Sequence, residues 1–374
     1  MKHNKMIITL TTLLALAMLL SACGAPAQPA STEKPVTTPE VTQPVTEPPV
    51  IEPTATTVPA VTAPTSVKIG LIVAGTLEEP WYSSHLESLK KLESSNKYNV
   101  AVQIDYTENV WGEDSLRVMR EYAEAGYDIV WSTTGSDSDY IAQIQDQYPN
   151  VLFAHSGGGG TALGKNSAHV WGVVHEPAYL LGMIAGMMSE KHVFGLVGSF
   201  PSEEINAEAN AYIRGAKDAN TDMKFAMTFI NSWWDPDKAK EAAVAQIAAG
   251  ADFIYPTIYG AFEAMSEAKI KGFGNYADQT AMAPDVILAS TILKWDPQSE
   301  YLLDLWWQHA TTSEPYNVPT EGFFGYMAQG GSDIVLSADN LPADVVAAVN
   351  AKKADILSGA FVVDWDQTPP KADQ

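Results

Sequence analysis

Aromatic and acidic side chains recur in the short loops that follow the predicted strands, and such residues together could hold a flat ring. Aromatic faces stack on a ring without needing charge, whereas carboxylates and amides accept or donate hydrogen bonds at its edge. The loops read "TLEEPWY", "NVWGED", "TTGSDSD", "PSEEIN", "NSWWDP" and "TIYG". The candidate ligand-binding residues in these loops are Trp81, Trp111, Asp137, Trp233 and Asp235.

Each candidate also has a structural alternative. The tryptophans could belong to the core, as large aromatic residues usually do. Asp137 and Asp235 stand at predicted helix starts, where Asp is a favoured N-cap. Successive residues of an extended segment point to opposite sides, so only one of the adjacent Trp233 and Trp234 should face a ligand. We predict that Trp233 is the flat platform and that Trp234 packs against its own lobe.

The sequence does not contain the common catalytic patterns. The stretch "GGTALGKN", residues 159–166, is close to a P-loop but lacks the final Ser/Thr, and a strand-like segment follows where a helix is needed. There is no G-x-S-x-G motif, and the seven histidines show no zinc-binding spacing. The single cysteine, Cys23, excludes an intramolecular disulfide and a cysteine metal site. These patterns favour a binding protein over an enzyme, with no cofactor and no metal.

The N-terminus has the pattern of an export signal. Basic "MKHNK" precedes the apolar run "MIITLTTLLALAMLL", which is too short to span a bilayer comfortably, and "SAC" follows. "LSAC" resembles the bacterial lipobox, in which the cysteine is lipidated; a plain secretory signal is the alternative. We predict a lipoprotein signal peptide over residues 1–23, lipidation at Cys23, and an extracytoplasmic protein anchored to the cell membrane.

The net charge of the chain argues against one class of partner, and the composition of residues 24–66 predicts a segment without a fold. The chain carries a formal net charge of -23, and removing residues 1–23, with two lysines and no acid, gives near -25 (-23 minus 2). This charge repels phosphate backbones and argues against nucleic acid as a partner. Residues 24–66 are rich in Pro and Thr and lack aromatic residues, which predicts a disordered, extended tether.

From Val67 onward, strand-like and helix-like segments alternate, which predicts βαβ units and a parallel sheet. The same alternation of strands and helices begins again at "HVFGLVGSF". We therefore expect an α/β fold of two Rossmann-like lobes with about three crossings of the chain between them. The predicted first lobe comprises residues 67–174 plus about 289–320, since the strand "DVILASTILKW" could cross back to it. The second comprises residues 175–288 plus about 321–374. The loops of both lobes should converge on one cleft.

Several stretches, in order along about residues 67–365, resemble the basic membrane lipoproteins, also called Bmp or PnrA-like proteins. The most specific of these stretches are "EPAYLLGMIAGMMS" and the block around "NSWWDP". That family provides the substrate-binding components of ABC importers for purine nucleosides and nucleobases. The resemblance implies a periplasmic binding protein type I fold, in which hinge strands join the two lobes. We expect the protein to be a monomer. It also implies a purine base or nucleoside as ligand, and an ABC permease with its ATPase as partners.

The resemblance also assigns roles to particular residues. Trp81 matches an aromatic that lies near the purine in the nucleobase-binding branch, and Trp233 matches the Trp of that branch's "SWxDP" block. Asn275 and Asp278 fall in the turn "GFGNYADQ", and Lys294 matches a lysine that serves the sugar in the nucleoside branch. The first loop, "GTLEEPWYSS", lacks the nucleoside branch's Asp-rich pattern and favours a free base, whereas Lys294 favours a nucleoside. A sugar, an autoinducer-like ligand and a sensor role also remain open.

Overall fold

A computed structural model describes residues 62–373, which form two six-stranded sheets with helices on their faces. The predicted signal peptide, Cys23 and most of the predicted tether lie outside these residues. The strands are β1 Ser66–Ile72, β2 Ala101–Thr107, β3 Ile129–Ser132, β4 Leu152–Ser156, β5 Ser167–Gly172, β6 Val193–Gly198, β7 Lys224–Phe229, β8 Phe253–Pro256, β9 Lys271–Gly274, β10 Ile287–Leu293, β11 Phe323–Gly325 and β12 Ser332–Leu336. The helices are α1 Pro80–Ser95, α2 Glu113–Glu124, α3 Ser138–Ile144, α4 His175–Met188, α5 Glu203–Ala219, α6 Pro236–Ala248, α7 Ala261–Ala268, α8 Asp296–Thr312 and α9 Ala343–Ser358.

Both sheets have the order of a doubly wound fold. The first runs β11-β5-β4-β3-β1-β2 and is parallel throughout; the second runs β12-β10-β9-β8-β6-β7, with β12 antiparallel to β10. Every residue of β4, β5 and β6 is buried, as expected for parallel strands covered by helices on both faces. The predicted α/β fold with two Rossmann-like lobes is confirmed. Among residues 62–373, no helix combines the length and apolar character needed to cross a bilayer.

The chain crosses between the lobes between β5 and α4, between β10 and α8, and between β11 and β12. Two of these crossings lie at positions different from the lobe boundaries predicted from the sequence. The strand expected to cross back near residue 289 stays in the second sheet, where β10 pairs with both β9 and β12, so the crossing follows Leu293. The chain remains with the first lobe until β11, which pairs with β5, although residues from about 321 were assigned to the second lobe. Between these crossings, α8 packs on α1 of the first lobe.

Helices α4 and α5 pack closely because glycines face each other's backbone. An added Cβ at Gly182 would lie 2.1 Å from the Tyr212 carbonyl oxygen, and one at Gly215 would lie 2.0 Å from that of Tyr179. Both distances are far below van der Waals contact, so only glycine permits this approach. The packing fixes α5 against the second sheet, and the N-terminal turns of α5 lead into the space between the lobes.

Candidate functional site: a cavity between the lobes

A cavity of about 320 Å³ lies between the two lobes, at the carboxyl ends of the parallel strands. This is where ligands bind in open α/β sheets, and the volume falls in the range of small-molecule sites. The first lobe lines it with residues that follow β1, β2, β3 and β4, and the second with residues that follow β6, β7, β8 and β9. The aromatic residues in the lining are Trp81, Tyr82, Trp111, Trp233, Trp234, Tyr259 and Tyr276.

Trp81 joins the first lobe to the second. It stands in the first turn of α1, and its Nε1 donates a hydrogen bond of 3.0 Å to the Thr133 carbonyl oxygen. Its ring lies edge-on to Trp295 at 5.2 Å and meets Tyr276 of the second lobe at 5.7 Å. The indole is therefore held on several sides while it still lines the cavity, which suits a ring platform.

Trp233 and Trp234 both line the cavity, with 48% and 51% of their surfaces exposed. The prediction that only one of the two tryptophans faces the cavity is wrong, although Trp234 does also pack against Tyr259 of its own lobe. The prediction assumed an extended segment, whereas Asn231 adopts a left-handed conformation with φ of 53° and the Trp234 amide bonds to the Ser232 hydroxyl at 3.2 Å. This bend brings successive side chains to the same side of the chain.

The half-exposed tryptophans of the cavity come from both lobes. Trp111, from the first lobe, is 50% exposed. Trp233 and Trp234, from the second, rest against Phe200 and Tyr259, with ring centroids 4.9 and 5.2 Å apart. Trp233 and Trp234 are thus each supported by a neighbouring ring, and all three indoles leave apolar surface exposed in the cavity.

Asn275, a predicted ligand-binding residue, lines the cavity and is nearly fully buried. Its Oδ1 accepts hydrogen bonds from the Tyr255 hydroxyl at 2.5 Å and the Thr291 hydroxyl at 2.7 Å. Its Nδ2 is buried and has no partner among the described residues. A buried amide without a partner is costly, so this group is available to donate a hydrogen bond to a ligand.

Glu204 is a site residue that the sequence reasoning missed. It lines the cavity, its Oε2 is buried without a partner in the described part of the chain, and burial raises its pKa. Glu79, in the first lobe's wall, also has a pKa raised by burial. Both come from the loops that drew attention in the sequence, "PSEEIN" and "TLEEPWY", but the loop position alone did not tell which carboxylate points inward.

Two predicted acidic ligands are engaged elsewhere. Asp137 is outside the lining, and its buried carboxylate accepts a hydrogen bond of 2.7 Å from the Ser132 hydroxyl. Asp235 caps α6: its Oδ1 accepts from the Lys238 amide at 3.1 Å, and its Oδ2 lies 2.8 Å from the same residue's Nζ. The N-cap alternative therefore accounts for Asp235, because the helix start uses the carboxylate.

Asp278 and Lys294 are also outside the lining of the cavity. Asp278 is exposed, and its carboxylate accepts a hydrogen bond of 3.0 Å from the Thr280 amide. The Lys294 ammonium lies 3.1 Å from the Asp333 carboxylate, in an ion pair within the second lobe's edge. Of the eight predicted ligand-binding residues, the structure thus brings together Trp81, Trp111, Trp233 and Asn275.

The sequence of the chain that forms this cavity matches a known protein family. Residues 66–309 match the model of the PnrA-like ABC transporter substrate-binding proteins, called Bmp. The chain belongs to this family. Members are solute-binding proteins that work with a permease and an ATPase, so the two-lobed cavity is the place where a PnrA-like protein would hold its solute.

Relatives of this PnrA-like protein carry the names of different ligands. It is 30% identical over 254 residues to a purine-binding protein of Brucella abortus, covering 66% of this chain and 71% of that protein. It is also 30% identical over 263 residues to a Haloferax volcanii protein provisionally named an ABC transporter glucose-binding protein, covering 69% of this chain and 64% of that protein. A solved ABC transporter solute-binding protein from Conexibacter woesei shares the fold, with a TM-score of 0.65 and 20% identity over 80% of this chain and 99% of that one.

Proposed function

We propose that this chain is an extracytoplasmic binding protein that captures a purine base between its lobes for an ABC importer. The observation that carries the proposal is a set of buried polar groups that line an aromatic cavity and have no partner among the described residues. They are the donor Asn275 Nδ2, the carboxyl oxygen Glu204 Oε2 and the hydroxyls of Ser199 and Thr257. A purine offers flat faces to the indoles and both acceptors and N–H donors at its edge. The purine-binding relative from Brucella abortus supports this ligand class.

Two features favour a free base over a nucleoside. The first loop lacks the Asp-rich pattern of the nucleoside branch, and Lys294, which could have served a sugar, pairs with Asp333 away from the cavity. A sugar is the second candidate, favoured by the Haloferax volcanii relative's name and by the ability of tryptophan faces to stack on sugars.

The proposed mechanism is capture without chemistry. Lobes joined by three crossings can hinge around the ligand and close on it. A permease that recognises the closed form would then receive only loaded protein. A lipid on Cys23 and the tether of residues 24–66 would keep the domain close to that permease and raise its effective concentration.

A thermal-shift screen of the mature chain tests the ligand class. The panel comprises adenine, guanine and hypoxanthine, their nucleosides, and glucose. We expect a purine base to raise the unfolding midpoint most, because binding to the folded state at one hundred times Kd adds about 2.7 kcal/mol of stability. A midpoint raised by glucose and unmoved by every purine would overturn the proposal in favour of a sugar.

Trp233→Ala should lose most of the midpoint shift produced by the best base, because it removes an indole from the second lobe's wall. Since Trp234 also lines the cavity, we expect Trp234→Ala to reduce the shift as well. The matched control is Trp307→Ala, which truncates a half-buried tryptophan stacked on Tyr98 outside the cavity lining. An undiminished shift in Trp233→Ala would mean that this indole only packs against Phe200.

Cys23→Ala tests the proposed anchor. In the native bacterial host, we expect the wild-type chain in the membrane fraction and the variant in the soluble extracytoplasmic fraction, because acyl chains would supply the membrane affinity. Ser21→Ala, which leaves the cysteine in place, is the control. Membrane recovery of Cys23→Ala equal to that of the wild type would contradict lipidation at this residue.

A further inference from the structure

A buried hydrogen-bond network lies directly behind Asn275 and connects it to helix α5. Glu208, on α5, is 1% exposed. Its Oε1 lies 2.8 Å from the Tyr276 hydroxyl and its Oε2 lies 3.0 Å from the Tyr255 hydroxyl. The Tyr255 hydroxyl in turn lies 2.5 Å from Asn275 Oδ1, which also meets the Thr291 hydroxyl at 2.7 Å. The ligand-facing amide is therefore linked through one tyrosine to a buried carboxyl group.

The hydrogens of this network can be counted. The Thr291 hydroxyl accepts from the Tyr276 amide at 3.0 Å and donates to Asn275 Oδ1, while the Tyr276 hydroxyl donates to Glu208 Oε1. The Tyr255 hydroxyl has one hydrogen but two close oxygen neighbours, Asn275 Oδ1 and Glu208 Oε2, while the Thr291 hydroxyl lies farther away at 3.5 Å. An ionised Glu208 would leave one of these contacts without a hydrogen. A neutral Glu208 supplies it, donating to Tyr255 while Tyr255 donates to Asn275.

If Glu208 is ionised instead, the side-chain amide of Asn275 must take the reverse orientation. If Glu208 is ionised, Tyr255 must donate to it, and Asn275 then satisfies Tyr255 and Thr291 by turning its NH₂ group toward them. That rotation would present the Asn275 carbonyl to the cavity. In this second arrangement the Thr291 hydroxyl hydrogen is left with only the Tyr255 oxygen, 3.5 Å away, so its hydrogen bonds are the less complete. The two arrangements exclude each other, so the proton on Glu208 decides whether the site offers a donor or an acceptor at this point.

We propose that Glu208 is a positioning residue whose neutral form holds Asn275 with its amide NH₂ group directed at the ligand. The inference rests on the ligand site proposed above and adds what the ligand must carry: a hydrogen-bond acceptor facing Asn275. The surroundings of Glu208 favour the neutral form. The titratable groups that face it are Tyr255 and Tyr276 from the second sheet and Glu204 one turn earlier on α5, and none of these is a cation.

Burial raises the pKa of Glu208 to about 8, against the lowering effect of the two tyrosine hydroxyls, and the charge of Glu204 raises it further. Because the folded pKa is raised, the neutral form is fully present at low pH and is lost as pH rises through about 8. A ligand that needs the NH₂ group should therefore bind well at pH 6 to 7 and more weakly at pH 9.

The test compares three proteins by calorimetric titration with adenine, or with whichever base gives the largest midpoint shift, between pH 6 and 9. Glu208→Gln keeps a donor toward Tyr255 and an acceptor toward Tyr276, so it should bind at pH 7 within about threefold of wild type, with a flat pH profile. Glu208→Ala removes the acceptor of the Tyr276 hydroxyl and the group that fixes the Tyr255 hydroxyl toward Asn275. It should bind about tenfold more weakly, as the loss of one buried hydrogen bond implies. The wild type should lose affinity between pH 7 and 9.

The glutamine variant separates positioning from simple support of the fold, since it must rescue binding and also remove the pH dependence. A wild-type profile that matches that of Glu208→Gln at every pH would overturn the proposal. Infrared difference spectra of wild type minus Glu208→Gln at neutral pH test the proton without any ligand. A carboxylic acid C=O band supports the neutral Glu208, and a carboxylate band in its place overturns it even if no purine binds.

Discussion

Trp81→Ala is expected to weaken binding of the captured base by about 100-fold, the largest single effect on affinity in the cavity. Truncating a central, well-packed tryptophan at a binding surface typically costs about 2 kcal/mol or more, and about 1.4 kcal/mol corresponds to tenfold. Trp81 meets that description, because it is fixed by its bond to Thr133 and touches Tyr276 of the facing lobe. Its loss removes a ring platform together with a contact between the lobes.

Isothermal titration calorimetry with the preferred base measures this effect directly. Trp307→Ala, on α8 of the same lobe, is the matched control and should bind within about twofold of wild type, because Trp307 lies outside the cavity lining. Trp81→Phe should recover part of the lost affinity, since an aromatic face remains while the indole N–H does not. Equal affinities for Trp81→Ala and wild type would remove Trp81 from the ligand site.

The largest effect on folding is expected at Gly215. Gly215→Ala places a Cβ 2.0 Å from the Tyr179 carbonyl oxygen, so α4 and α5 must separate. Overpacking of this kind costs about 1 to 3 kcal/mol, and we expect the upper end because the obstacle is backbone rather than a flexible side chain. Helix propensity acts in the other direction by about 1 kcal/mol, so a net loss near 2 kcal/mol should appear in urea unfolding.

Gly182→Ala should be destabilising for the same reason, with its Cβ 2.1 Å from the Tyr212 carbonyl oxygen. The control is Met187→Ala on the exposed side of α4, where 40% of the residue's surface is open and a change within about 0.5 kcal/mol is expected. Gly215→Ala as stable as wild type would show that the two helices do not depend on this close approach.

The sequence predicted the fold well because its signal is repetitive. Strands and helices alternate in two successive parts of the chain, and this pattern predicts two parallel sheets covered by helices. The crossing points were harder to place. The apolar stretch of β10 suits either lobe by composition, and only its pairing with β9 and β12 assigns it to the second. The short β11 gives too weak a pattern to separate it from the segment that follows.

For the site, the sequence predicted the loops better than the side chains. Position after a parallel strand selected Trp81, Trp111 and Trp233, which all line the cavity, whereas the direction of each side chain depends on local geometry. A left-handed Asn231 turns Trp234 into the cavity, and a helix start occupies Asp235. Such competition between a cap, an ion pair and a ligand is decided by tertiary contacts that a single sequence does not display.

The late position of β11 and β12 has a consequence for how the chain acquires its structure. Each sheet receives an edge strand only after the chain has passed residue 309, where the family match ends. Neither sheet is therefore complete until this C-terminal segment has been synthesised. Pairings this distant along the chain are slow to form. We therefore expect these two edge pairings to be among the last parts of the structure to form.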